Sequence, residues 1–272
     1  MSTRLLAILN ASALAIHIAL SYLTQIKSFS TLDVGQVSAK YETAFAPAGL
    51  TFAIWGLIYF SLAAFCLFHI VKAFNSDHME QADTDIRAIG WLFIINNLAT
   101  AAWLIAWVSE SIGISLILIL VQLVTLILIS IRSHIANPER SLSNKIFTQF
   151  PLSIYFGWIC IATIANVSAF LVSINWNGAG ITESYWVVIM IGIATMLSLF
   201  IILVRRNFFF GLVILWALYG IILKRQQVGV GQFQDVITAA WAAFIIVVIA
   251  LLIRLFRASK FKNHPVEPTE SY

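Results

Sequence analysis

Charged and turn-forming residues interrupt this chain at regular intervals, and between them lie eight runs that are apolar on every side. They cover roughly residues 5–25, 50–73, 88–108, 112–131, 147–173, 185–204, 207–223 and 234–256. A helix crossing a bilayer needs about 20 mostly apolar residues, because no water in the hydrocarbon can satisfy open backbone groups. A membrane-spanning β-barrel would instead show alternating segments of about 10 residues, and these runs do not alternate. The pattern predicts an all-α, polytopic transmembrane helix bundle of about eight spans. The run 207–223, between Arg205-Arg206 and Lys224-Arg225, is short for a span and leaves six or seven open. The first run has Arg4 ahead of it and Ala13-Leu14-Ala15 within it, as a signal peptide would. It stays apolar to Leu23, which favours a retained helix.

Composition sharpens this picture. Hydrophobic residues make up 61% of the 272 and charged residues 10%, with a mean hydropathy of +0.93. A soluble domain would carry about 25% charged residues. The net charge of +4 does not point to nucleic acid, because the basic residues sit at the ends of apolar runs. With the N-terminus inside, only Lys27, Lys40, Lys224 and Arg225 of the sixteen Lys and Arg fall outside. That bias predicts cytoplasmic N- and C-termini. Residues 26–49 form an external connection too long for a simple turn. It is either disordered or folded over the bundle mouth, and its Asp33, Lys40, Tyr41, Glu42 and Phe45 ahead of Pro47-Ala48-Gly49 favour the second. Residues 259–272 read as a disordered cytoplasmic tail.

Chemistry in the spans is sparse. No Asp, Glu or Lys sits in mid-span, which argues against an acidic proton relay and excludes a retinal Schiff base. His17 and His69 stand singly on separate spans, as packing residues do, with paired haem ligation the exception. Cys66 and Cys160 lie in apolar runs and suggest small core side chains rather than a disulfide or metal site. No paired carboxylate, nucleophile–base set or metal-ligand spacing occurs in a span, so no catalytic residue is assigned.

What the spans do carry is aromatic and neutral polar residues at helical spacing. Phe52, Trp55 and Tyr59 share one face of the second span. Asn96, Thr100, Trp103 and Trp107 share one of the third, and Tyr155, Trp158, Ala162 and Asn166 one of the fifth. Periodicity alone leaves two readings. The commoner is packing with interhelical hydrogen bonds; the other is an aromatic cavity for a flat apolar ligand.

At these residues the chain resembles the TspO/MBR family of tryptophan-rich sensory and translocator proteins. Tyr155-x2-Trp158-x3-Ala162-Thr163-x2-Asn166 matches that family's spacing without a gap, and Pro47, Trp55, Tyr59 and Trp103 fit its second and third spans. Asn96 and Thr100 stand where the family has a glutamine and an asparagine, and Trp107 where an aromatic is usual. Ala53 replaces a family proline, Gly49 a tryptophan, and Pro151 lies a turn early. The resemblance covers about residues 1–176, a five-helix unit, with 177–258 as three additional transmembrane helices. It implies a receptor or sensor binding a porphyrin, another tetrapyrrole or a sterol-like lipid, often as a homodimer, in a membrane of the bacterial inner type. No cofactor is required, though a bound porphyrin or haem would fit. Some members of that family are linked to light-dependent breakdown of a bound porphyrin, which would need no catalytic side chain. A small-molecule transporter and a membrane scaffold remain the alternatives.

Overall fold

The computed structural model describes residues 2–75, 79–228 and 231–262, with the side chains of 79–83 and 258–262 set aside. Among them, eight helices are long and apolar enough to cross a membrane, and no strand occurs. This is an integral membrane protein. Helix α1 runs Thr3–Gln25, the short α2 Val34–Lys40, α3 Ile54–Phe74, α4 Met79–Val108 and α5 Ile112–Arg132. They are followed by α6 Phe150–Ser173, α7 Glu183–Leu199, α8 Phe208–Val228 and α9 Gln234–Lys262.

The helix ends follow local chemistry. Ser2 caps α1 by accepting the Leu5 N–H. Asp33 and Gln36 form a reciprocal capping box on α2. Gly90 breaks α4 at φ 51°, ψ −138°, a conformation that only glycine adopts without strain. A wide π-type turn over Lys145–Gln149 precedes Pro151, which opens α6 where its missing N–H costs nothing.

Helix α4 packs between α1 and α5, α5 against α6, and α6 against α8. Helix α8 meets α9, and α9 meets α7, while α3 crosses α1, α4 and α6. One continuous apolar core runs through these contacts from Leu14 to Leu251. Cys66 and Cys160 are buried in it as free thiols.

Two boundaries differ from the expectations above. Helix α8 continues through Lys224-Arg225 to Val228, giving 21 residues, enough to cross. The cation pair looked like a helix end, but Arg225 is buried and its charge is met from another part of the chain. Helix α9 runs to Lys262, beyond the expected start of the tail at 259, because nothing from Arg257 to Lys262 is a helix breaker. Residues 263–272 lie outside the described residues.

Candidate ligand-binding site

Residues 26–49 fold back across one end of α3, α4 and α6. The backbone carbonyl of Val34 accepts the Trp107 indole N–H at 3.1 Å, and Val37 is fully buried on the underside of α2. Lys40 pairs with Glu110, whose carboxylate also accepts the Tyr41 hydroxyl at 3.0 Å. Those two donors hold the Glu110 carboxyl below the ordinary carboxylate range, and the bond to Glu110 raises the Lys40 ammonium above its own. The far side of this lid is held by the C-terminal helices. Ala44 N–H donates to the Glu183 carboxylate at 2.8 Å, and Ala48 N–H to the Gly220 carbonyl at 3.0 Å. The Trp216 indole donates to the Thr51 carbonyl at 3.0 Å, just past the lid. Glu42 receives Arg225 at 2.8 Å and Lys224 at 3.4 Å. Burial pushes the Glu42 carboxyl up, but the two cations outweigh it and hold it below the ordinary range.

Beneath the lid are two adjoining hollows. The outer, about 620 Å³, lies between α1, the lid and α3, and Phe52, Trp55, Tyr59 and Trp103 form its aromatic wall. Ser21, Gln25, Asp33, Glu42 and Lys224 make its mouth polar. The inner, about 60 Å³, lies deeper, where Phe52, Trp55, Trp103, Trp107 and Trp158 converge on Ala162 and Asn166. Phe52, Trp55 and Trp103 belong to both, as do Ser38, Ala46 and Pro47 of the lid. The three tryptophan-bearing helix faces therefore turn toward one shared region and not outward to lipid.

Ring geometry ties these side chains together. Trp55 stacks on Tyr59 at 5.2 Å and meets Trp158 edge-on at 6.3 Å. Trp158 meets Phe52 at 5.9 Å, and Trp103 stacks on Trp107 at 5.4 Å. The polar floor is Asn166. Its carbonyl oxygen accepts Trp103 Nε1 at 3.4 Å, and its amide donates to Ser115 Oγ at 3.1 Å.

Four sequence-predicted residues stand outside both walls. Asn96 is fully buried and donates to Thr125 at 2.8 Å and to the Gln122 carbonyl at 3.0 Å, joining α4 to α5. Thr100 and Tyr155 share a 2.8 Å hydrogen bond between α4 and α6. Thr163 donates to its own helix at Ile159. Asn96, Thr100 and Tyr155 share faces with the wall residues, but each sits where a neighbouring helix, not the hollow, is opposite. The structure adds the small residues Ala165 and Ala169 and the lid's Ser38, Thr43 and Ala46 to the inner wall. Alanines at 162, 165 and 169 form an i, i+3, i+7 stripe whose smallness was visible in the sequence.

The two span histidines have separate surroundings. His17 Nδ1 meets Asn97 at 2.9 Å and touches Trp55 and Tyr59. His69 Nε2 meets Thr148 at 3.0 Å and touches Phe65 and Phe68. Sequence reasoning also passed over Asp85, near the start of the third span. It is buried against Arg140 at 3.3 Å and Asn144 at 2.8 Å, an ion pair on the side away from the lid.

The family model described as TSPO-like protein matches residues 7–253. The chain belongs to the TSPO-like family. In this TSPO-like chain the match extends through α7 and α8 and into α9, the three helices beyond the five-helix unit expected from the motifs. No curated protein and no solved structure matches the chain.

Proposed function

We propose that the protein is a membrane receptor or sensor that binds a planar hydrophobic ligand, a tetrapyrrole or sterol-like lipid, beneath the lid. The observation that supports this most is the outer hollow: about 620 Å³, aromatic within and polar at the mouth. Sites for small organic ligands fall at about 300–1,000 Å³ with this distribution of polarity. The inner hollow, at about 60 Å³, holds no more than a couple of waters. A ligand of this class therefore occupies the outer hollow and reaches the inner one only if Phe52 or the lid moves. The Lys and Arg bias supports a lid on the outer face of the membrane, with both termini in the cytoplasm.

Trp55 carries the test because it walls both hollows. Losing an aromatic face removes about 0.5–1.5 kcal/mol of ring contact beyond the apolar burial, so Trp55→Ala weakens porphyrin binding at least about tenfold. Trp158→Ala, which touches only the inner hollow, weakens it less. Porphyrin fluorescence quenching in purified protein measures both. Unchanged affinity in Trp55→Ala removes the assignment.

A further inference from the structure

A third hollow of about 370 Å³ lies on the other side of the lid, between the end of α6 and the start of α7. Trp176 and Trp186 line it with ring centroids 4.9 Å apart at 64°. The Trp186 indole N–H is spent on the Gly178 carbonyl at 2.9 Å, which fixes the ring in the wall of the hollow. Glu183 lines the same hollow, and no Lys, Arg or His does.

The charge on Glu183 sets it apart. Four carboxylates contact or cap the lid: Asp33, Glu42, Glu110 and Glu183. Lys27 stands 4.0 Å from Asp33, Lys224 and Arg225 meet Glu42, and Lys40 meets Glu110. Glu183 has the Ala44 N–H and, among the described residues, no cation. A carboxylate beside two indole rings is the chemistry that holds an ammonium ion, through Coulomb attraction and cation–π contact. An anion would meet like charge here, and a neutral guest would gain nothing from the carboxylate.

We propose that this hollow is a second ligand site, which takes a cationic ammonium group carried on an apolar body. Trp176 and Trp186 receive the cation's face, Glu183 its charge, and Leu171 and Met190 its apolar part. Thr43 lines both this hollow and the inner one, and Glu183 holds the adjacent Ala44. A guest here therefore bears directly on the lid.

Full-length protein carrying 5-fluorotryptophan, in lipid discs, reads the site by the ¹⁹F resonances of Trp176 and Trp186, each assigned by its Phe substitution. Benzyltrimethylammonium is the probe, and its uncharged isostere neopentylbenzene the control. The probe is expected to shift both resonances saturably, with Glu183→Gln weakening it about tenfold. The carboxamide oxygen of that variant can still accept from Ala44, so the lid contact persists. Discs of phosphatidylcholine and of a digalactosyl lipid separate two sources of the ammonium. Lower probe affinity in the choline discs assigns it to a lipid headgroup, and equal affinity to a free solute. The proposal is overturned if the isostere binds as tightly as the probe, if Glu183→Gln leaves the probe's affinity unchanged, or if neither resonance moves. Porphyrin binding is read separately at Trp55, so either site can fail without the other.

Discussion

Glu42→Ala should release the lid by an amount the structure allows to be worked out. The Arg225 side chain is 3% exposed, and its Nη2 lies 2.8 Å from Glu42. Stripping one partner from a fully buried ion pair costs about 3–5 kcal/mol, because the other charge is stranded. Two features reduce that figure here. The Glu42 side chain is 38% exposed, so water screens the pair, and the Arg225 guanidinium keeps a contact with the Phe233 ring at 4.9 Å. The expected loss is about 1–2 kcal/mol, which falls on the closed lid because Glu42 belongs to it. Hydrogen exchange of the Ala44 and Ala48 amides reports on it, since Glu183 and Gly220 accept their protons. Protection of both should fall about 5- to 30-fold in Glu42→Ala at neutral pH. Lys27→Ala is the control: its pair with Asp33 spans 4.0 Å with the lysine 41% exposed, and it should change nothing measurable. Replacing both members, Glu42→Leu with Arg225→Met, should recover most of the protection, because an apolar pair strands no charge. Protection within twofold of the parent in Glu42→Ala, or an equal loss in Lys27→Ala, would refute the reasoning.

Three further outcomes follow from the same geometry. A methyl group added at Gly220 would overlap the Thr51 side chain and come within 3.0 Å of Pro47 Cβ, so Gly220→Ala should lower stability by about 1–3 kcal/mol. Thr51→Ser removes the obstructing methyl and should restore the thermal midpoint. Lid protection should also depend on pH. Glu42 and Glu110 titrate below the ordinary carboxylate range in the folded chain, so their contribution is complete above that range and lost as pH falls through the depressed values. Lys40 titrates above its ordinary value, so its share is complete below that value and lost as pH rises through the raised one. Exchange followed against pH should show a plateau between those limits. Removing residues 177–272 leaves Trp55, Tyr59, Trp103 and Trp158 but takes away Glu183, Gly220 and Arg225. Porphyrin should still bind to the truncated protein and leave at least about tenfold faster in a stopped-flow displacement, because the closed lid loses at least about 1.4 kcal/mol.

The spans were legible because a bilayer demands apolar length, and length can be read without knowing any neighbour. The aromatic faces were legible for a related reason: 3.6 residues per turn fixes which side chains share a side. What periodicity could not supply was the identity of the element opposite each face. Trp103 and Asn96 lie on one stripe of α4, yet the first meets the hollow and the second meets α5. The same gap explains Arg225. From its own surroundings it ends a helix, and only a glutamate 183 residues earlier in the chain turns it into an interior residue. The Trp176–Trp186 hollow went unnoticed because its walls come from two helices and its acid from a helix start, with no local motif to announce it.

The distance along the chain between the lid and its anchors has a consequence for the newborn protein. Ala44 waits for Glu183, Thr51 for Trp216 and Glu42 for Arg225, separations of 139, 165 and 183 residues. At about 5–20 residues per second, a ribosome needs roughly 10–40 seconds to supply the last of these after the first half of the pair has emerged. Through that interval the lid is held on one side only, by Trp107 and Glu110, and the first occupant the aromatic chamber meets is whatever the inserting membrane offers.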